Sequence, residues 1–328
     1  MKGRHKKDEI VVIGGGTGLS TMLRGLKKYT EDITAIVAVS DDGGGSGVLR
    51  ADLGILPPGD IRNCIVALSN TEPVMERLLN YRFQDGSLAG QSFGNLFLAA
   101  LDGVCGSFYQ AVRYMSDVLA ISGRVLPVTV CDVNLEAEFE NGVVTRGESK
   151  IMGVKKAQDS RIKCVRLVPE NPPALEETLE AIINAKLLVL GPGSLYTSII
   201  PNLLVDGVVD AIRASEARRV YVCNVMTQDG ETEGYTAFDH AQALFDHSAP
   251  DLFDMCIVNS EPISEKLAKR YAAEGAECTY VDSKAFENAG VKLLSLPLLD
   301  TSGTLARHNS DGLARALMQI LHEGECLI

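Results

Sequence analysis

The sequence predicts an α/β fold: a Rossmann-like, three-layer α/β/α arrangement on a mostly parallel, doubly wound sheet, with a small β-rich insertion. Three observations carry this. Short apolar, β-branched runs (EIVVI, ITAIVAV, KLLVL, RVYVCN, DMCIVN) recur along the chain, as expected of strands buried on both faces. Segments with helical spacing of apolar residues fall between them, so strand and helix alternate. Two of the runs, ending at Ile13 and Leu190, pass straight into glycine turns, GGGTG and GPGS, as do strand–turn–helix units whose helix end receives an anion.

The elements follow in order. Glu9 to Ile13 forms the first strand, and Gly14 to Gly18 the turn. Leu19, Met22, Leu23 and Leu26 mark one face of a helix reaching Tyr29, and Ile33 to Val39 forms the second strand. From Val39 to Cys64 no periodic pattern is visible, and the segment reads as a long functional loop pinned by scattered apolar residues. Helices are predicted at Asp60–Leu68, with Asp60 able to cap it, and at Glu72–Phe83. Ser92-Phe93-Gly94-Asn95 introduces another at Leu96–Leu101, and a further one covers Phe108–Leu119. Residues 124–168 have a different texture: Asn141-Gly142 sits between EAEFE and VVT, a type I′ hairpin signal. That region is expected to be an insertion within a single domain spanning 1–328. A helix near Ala174–Asn184 leads to strands at Lys186–Leu190, Arg219–Asn224 and Asp254–Asn259. Helices at Ala237–Phe245, Ser264–Glu274 and Gly312–His322 complete the alternation.

Bulk properties exclude several classes. With 328 residues, 46% of them hydrophobic, the chain can bury a sizeable core, and its formal charge of −12 argues against nucleic acid as a partner. A local anion site remains compatible with that charge, because backbone N–H groups and a few arginines suffice. The eight cysteines include no C-x-x-C pair, so buried free thiols in a reduced cytosol are expected rather than a zinc or redox centre. The basic start, MKGRHKKDE, precedes an apolar run too short for a signal segment or a membrane span. The expectation is a soluble cytoplasmic protein without membrane insertion. The five histidines, with no metal spacing, read as surface or capping residues.

The candidate site gathers at the predicted strand ends. Gly14 and Gly16 match the start of G-x-G-x-x-G, but Leu19 stands where the third glycine belongs, and no Gly-Lys-Ser/Thr follows. Gly15, Gly16, Thr17 and Gly18 therefore read as a phosphate- or diphosphate-binding turn, the alternative being a plain tight turn. Asp41 and Asp42, followed by Gly43 and Gly44, could contact a ribose, hold Mg²⁺ beside a phosphate, or shape the loop. Pro58, Gly59, Asp60, Arg62 and Asn63 place a carboxylate, a guanidinium and an amide in one turn. If a reaction occurs, Asp60 and Arg62 would serve it. Asn95, Asn224, and Gly191, Gly193 and Ser194 of the second glycine turn complete the ligand-binding set, Ser194 as a helix cap or an anion contact.

GGGTGLS, SDDGGGSGVLR, LPPGDIRN, SFGNLFLAAL, GPGSLYTSIIPNLL and NVMTQDGETEGYTAFDHAQAL together resemble the YvcK-like gluconeogenesis factor family, within the 2-phospho-L-lactate transferase (CofD) superfamily. The resemblance spans Ile10 to Leu321. It implies a Rossmann-like fold and a cytoplasmic, CofD-like regulator of cell shape and envelope metabolism during gluconeogenic growth. It also implies a UDP-N-acetylglucosamine-type nucleotide sugar as ligand, contacted by Tyr271 in KRYAAEGA and Arg307 in LARHN. A Mg-dependent phosphotransferase of the 2-phospho-L-lactate transferase type is the alternative, with Asp41, Asp42 and Asp60 near metal and nucleotide. Thr304 is a candidate for regulatory phosphorylation. A homodimer is compatible with the chain, though no segment demands one.

Overall fold

The computed structural model describes residues 9–300 and 305–323. The chain begins with β1 (Ile10–Gly14), α1 (Gly16–Leu26) and β2 (Ile33–Val37). The long segment after β2 is not one loop: α2 (Gly44–Leu53) lies inside it, and α3 (Gly59–Leu68) starts before its end. The pattern escapes notice because α2 opens on glycines and buries only Ser46 and Leu49, closing on Gly54 in the left-handed region. Three more α-helices and a strand follow: α4 (Pro73–Asn80), α5 (Phe93–Cys105), α6 (Phe108–Val118) and β3 (Arg124–Pro127).

The insertion comprises β4 (Asn134–Phe139), β5 (Val144–Arg146), α7 (Glu148–Gln158) and β6 (Ile162–Val168). It begins after β3, which pairs in parallel with β2 and belongs to the main sheet, so the expected boundary at 124 moves inward. Strands β4, β5 and β6 form an antiparallel sheet in the order β5-β4-β6. The hairpin occurs where predicted, but its turn is different. Phe139 donates to the Val143 carbonyl and Gly142 to that of Phe139. Gly142 has φ of 82° while Asn141 keeps negative φ, so the turn is not type I′, which needs both positive. It is a three-residue turn ending on a left-handed glycine.

The rest of the chain supplies α8 (Glu176–Asn184), β7 (Leu187–Leu190), a π-helical turn (Leu195–Ile199) running into α9 (Ile200–Leu203), α10 (Val208–Ala214), and β8 (Arg218–Val222). Then come α11 (Ala237–Asp246), β9 (Met255–Asn259), α12 (Glu265–Ala273), α13 (Ser283–Asn288), β10 (Lys292–Leu296), the short β11 (Leu299–Asp300) and β12 (Arg307–His308), and α14 (Ser310–His322).

The main sheet has the order β10-β9-β8-β7-β1-β2-β3, with every pair parallel. Strand order reverses between β1 and β7. That is the topological switch point, where open α/β sheets place their ligands beyond the carboxyl ends of the strands. Alternation along β1 divides the core. Ile10 and Val12 pack into the layer of α1, α3, α6 and α14, while Val11 and Ile13 face the layer containing α8, α10, α11 and the insertion. Leu135, Ala137, Phe139, Ile151 and Val165 of the insertion share that second cluster with Leu188 and Leu190 of β7. No helix among the described residues is long and apolar enough to cross a membrane.

Because the insertion shares the main core, it should not unfold by itself. Phe139→Ala, at a fully buried site, is expected to cost about 3–5 kcal/mol. Urea unfolding followed by far-UV and tyrosine near-UV circular dichroism should still give one coincident transition. Two separated transitions would show the insertion to be an independent unit.

Candidate functional site

The two glycine turns at the switch point touch through their backbones. A Cβ on Gly18 would lie 2.7 Å from the Pro192 carbonyl oxygen, and one on Gly193 3.2 Å from that of Gly15. Only a residue without a side chain fits Gly18, since any added carbon would meet rigid backbone. Asn202, fully buried in α9, ties the pair together by donating to the carbonyls of Gly14 and Ser198. Asn224, at the end of β8, clamps Gly193 from the other side: its Oδ1 accepts the Gly193 N–H, and its Nδ2 donates to the Gly193 carbonyl.

Each turn opens a helix whose first N–H groups seek an acceptor. In both, a protein carboxylate supplies part of it. Asp60 is not a cap for its own helix. It lies in the first turn of α3 and its carboxylate accepts the Gly16 N–H, with Asn63 donating to the same group. The fit is tight, for a Cβ on Gly15 would fall 2.7 Å from Asp60 Oδ2. Burial behind the turn, with the Asp41 charge second, pushes the Asp60 carboxyl up to about 6. At the other turn Glu231, 1% exposed, accepts the N–H groups of Tyr196 and Thr197. Burial pushes its carboxyl up to about 7. Ser194 therefore does not cap the helix; its hydroxyl donates to Gln228 Oε1.

Beside these turns lies a cavity of about 320 Å³. Gly15, Gly16, Thr17 and Gly18 form one wall, Gly193, Ser194 and Ser198 a second, and Asn224 to Gln228 a third, with Arg307 and His308 closing it. Arg307 is its sole cationic side chain among the described residues. His308, read from the sequence as a surface or capping residue, is buried. Its ring is bonded to the Cys223 carbonyl, its Nε2 has no partner, and burial lowers its pKa to about 4. His240 is likewise buried, its Nδ1 bonded to the Thr236 carbonyl. Both histidines sit where chain packing, not local sequence, decides exposure. His5 lies outside the described residues, as does Thr304.

The remaining predicted residues divide. Asp41 folds back to accept the Gly43 N–H, and Asp42 reaches across to the Ser149 N–H at the start of α7. Asp41, Asp60 and Glu148 face one another, and burial with the two aspartate charges drives the Glu148 carboxyl well up. Gly44 opens α2, and Gly59 packs under Ser46, where a Cβ would meet Oγ at 2.4 Å. Pro58 precedes α3 as its N-cap. Among the described residues no group of three or more His, Cys, Asp or Glu is arranged to hold a metal ion. Magnesium at Asp41 and Asp42 would have to be completed by phosphate oxygens of a ligand, its usual coordination.

Arg62 and Asn95 belong to the interior. The Arg62 guanidinium is buried and donates to Asn95 Oδ1 and Asn80 Oδ1, passing over Gly94. Tyr271 does not line the cavity: its hydroxyl accepts the Ala306 N–H, next to Arg307. Gly191 turns beneath Ile199, in positive φ. Cys64, Cys223 and Cys256 are the buried thiols expected, but Cys278 is exposed. Ser198, Gln228, Glu231 and His308 were not marked by the sequence. They lie within the segments GPGSLYTSIIPNLL, NVMTQDGETEGYTAFDHAQAL and LARHN, but nothing in their local spacing singles them out as site residues.

The model of a family described as 2-phospho-L-lactate transferase CofD matches residues 10–299. A protein of Thermoanaerobacterium thermosulfurigenes is 55% identical over 313 residues, 95% of this chain and 97% of its own length. The gluconeogenesis factor of Bacillus subtilis is 45% identical over 97% of this chain and 99% of its own. A crystal structure from Bacillus halodurans, of a member of the UPF0052 family, superposes with a TM-score of 0.91 at 46% identity, covering 95% of this chain and 99% of that one.

The raised Glu231 carboxyl makes a pH prediction. Its folded value of about 7 lies above the ordinary 4.5, so the folded state holds the proton more tightly than the unfolded chain. That contribution is present in full below about pH 4.5 and is lost as pH rises through 7. Relative to Glu231→Gln, the wild type should lose about 2–3 kcal/mol of stability between pH 5 and pH 8. Urea titrations of both proteins at pH 5, 6.5 and 8 measure this. Parallel curves would show that the carboxyl is not desolvated.

Proposed function

The chain belongs to the CofD family, in its gluconeogenesis factor branch, and from that premise we propose that it is a nucleotide-sugar-binding regulator. The ligand is of the UDP-N-acetylglucosamine type, and the role is control of cell shape and envelope metabolism during gluconeogenic growth. The observation that carries the reading is the cavity at the switch point. It combines the glycine turn Gly15–Gly18, whose N–H groups open α1, with one guanidinium at Arg307. Backbone donors and a bidentate arginine suit a diphosphate. Thr17 and Gly18, beyond the N–H held by Asp60, are the donors left for it. Tyr271 acts through position: by accepting the Ala306 N–H it holds the segment that carries Arg307.

A second reading, a phosphotransferase, is favoured by one specific feature, the Asp41–Asp60–Glu148 group beside the Gly15–Gly16 turn. Magnesium held by Asp41 or Asp42, and completed by phosphate oxygens of the ligand, would supply charge neutralisation for phosphoryl oxygens. Asp60, with a carboxyl raised to about 6, could take a proton from an acceptor hydroxyl.

Calorimetry of the intact protein with UDP-N-acetylglucosamine tests the choice. Wild type should bind, with Arg307→Ala and Tyr271→Ala each weakening the affinity by about tenfold or more, a loss of about 1.4 kcal/mol. The mixtures should release no nucleoside monophosphate. No heat at millimolar ligand would overturn the binding reading. Magnesium-dependent monophosphate release that Asp60→Asn abolishes would replace it with the transferase.

A further inference from the structure

Helix α7 of the insertion is tied to both loops that flank the ligand cavity, and its own sequence does little to fix it. It has 11 residues and fully buries only Ile151 and Lys155. A helix shorter than about 12–15 residues is marginal by itself, and one apolar anchor adds little, so polar ties decide where α7 sits. Its first turn is tied to the loop after β2. Asp42 Oδ1 accepts the Ser149 N–H at 2.7 Å, and the Ser40 hydroxyl donates to Glu148 Oε2. Gly147, with φ of 108°, lets the Asp42 carboxylate approach, since a Cβ there would lie 2.6 Å from Oδ2.

The rest of α7 is tied to loop 228–233, which also reaches the site. Gln228 lines the cavity, where its Oε1 accepts the Ser194 hydroxyl while its Nε2 lies 3.7 Å from Met152 Sδ. Gly230, with φ of 82°, abuts the same methionine: a Cβ there would lie 2.9 Å from Met152 Cβ and 3.1 Å from its Cα. Glu231 holds the N–H groups of Tyr196 and Thr197 on the second glycine turn. Glu233 pairs with Lys155 through Oε2 and accepts the Gly230 N–H through Oε1. Lys155 is buried, so its charge depends on Glu233 rather than on water, and removing one partner leaves the other uncompensated. The exposed Lys156–Asp229 pair adds little. One short loop thus meets the cavity at Gln228, the glycine turn at Glu231, and α7 at Gly230 and Glu233.

We propose that α7 is a strap coupling the two sides of the site: it holds Gln228 at the cavity wall and the Asp42 loop beside it, and a ligand that fixes Gln228 seats α7 in turn. Coupling of this kind is reciprocal. Lys155 is its positioning residue, acting through Glu233 without lining the cavity. The proposal rests on the nucleotide reading above for the identity of the ligand. It gives a regulator without turnover an output, because occupancy of the crevice changes an element whose Lys150, Met152 and Lys156 are exposed.

Hydrogen exchange read by mass spectrometry on the full chain tests this, with Lys155→Met and Lys155→Arg beside the wild type; thermal melts verify folding. Without ligand, Lys155→Met should speed exchange about tenfold in 148–158, 226–234 and 40–47, as for a lost buried ion pair, and leave β1 and α1 unchanged. The 40–47 loop meets α7 at its other end, so its response distinguishes a strap from a local contact. Lys155→Arg, which keeps the cation, should behave as the wild type. Saturating UDP-N-acetylglucosamine should slow exchange of 148–158 in the wild type by about fivefold or more. By calorimetry Lys155→Met should raise the Kd of that ligand by about the same factor, with Lys155→Arg within about twofold. If Lys155→Met does not fold, Met152→Ala, at a position 40% exposed, takes its place by releasing Gln228 from α7. Faster exchange in α7 and 226–234 with 40–47 unchanged overturns the proposal. So does ligand binding that leaves α7 exchange as it was, or a Kd that loosening α7 does not move. Wild type that fails to bind the nucleotide sugar overturns the nucleotide reading instead, and the ligand-free comparison then decides on the strap by itself.

Discussion

Backbone contact between two glycine turns is the constraint on which the rest of the structure depends. Strand order reverses between β1 and β7, and neighbouring connections leave the sheet there in opposite directions, one toward each helical layer. The crevice this creates is usually open. Here it is drawn closed at its base, because Gly18 abuts Pro192 and Gly193 abuts Gly15, with Asn202 bridging the two loops. Side chains larger than hydrogen at these positions would pry the turns apart and shift both helices.

The closed base leaves helix N-termini away from water, and the protein answers with its own carboxylates, Asp60 at one turn and Glu231 at the other. Desolvation makes both acids weaker than usual. The arrangement stores unfavourable electrostatics in the fold, as functional sites often do. It also gives the crevice a polarity. Anion capacity is withdrawn from the deepest N–H groups and left at its mouth, where Thr17, Gly18 and Arg307 line the first cavity.

Sequence alone revealed the parts of this that are local. Central strands were legible because burial on both faces leaves an unbroken apolar run, and the glycine turns because they follow such runs directly. Helix α2 was not, since its glycine-rich start and exposed Val48 and Leu53 break the amphipathic pattern. Proximity in sequence misled for Arg62 and Asn95: they neighbour site residues along the chain but turn inward to one another. Asp60 was expected to cap its own helix, but its partner is the Gly16 N–H, far away in sequence. Glu231, Gln228 and His308 lie within segments that carry the family resemblance, yet nothing local shows that their side chains face the site, because what places them is the packing of β8, α11 and β12 around the switch point.

A crystal structure of the protein with UDP-N-acetylglucosamine is the most direct test of the account. It predicts the diphosphate against the N–H groups of Thr17 and Gly18 and the Arg307 guanidinium, with Asp60 still on Gly16 and Glu231 still on Tyr196 and Thr197. A phosphate seated deeper, on the Gly16 or Tyr196 N–H with either carboxylate displaced, would contradict it.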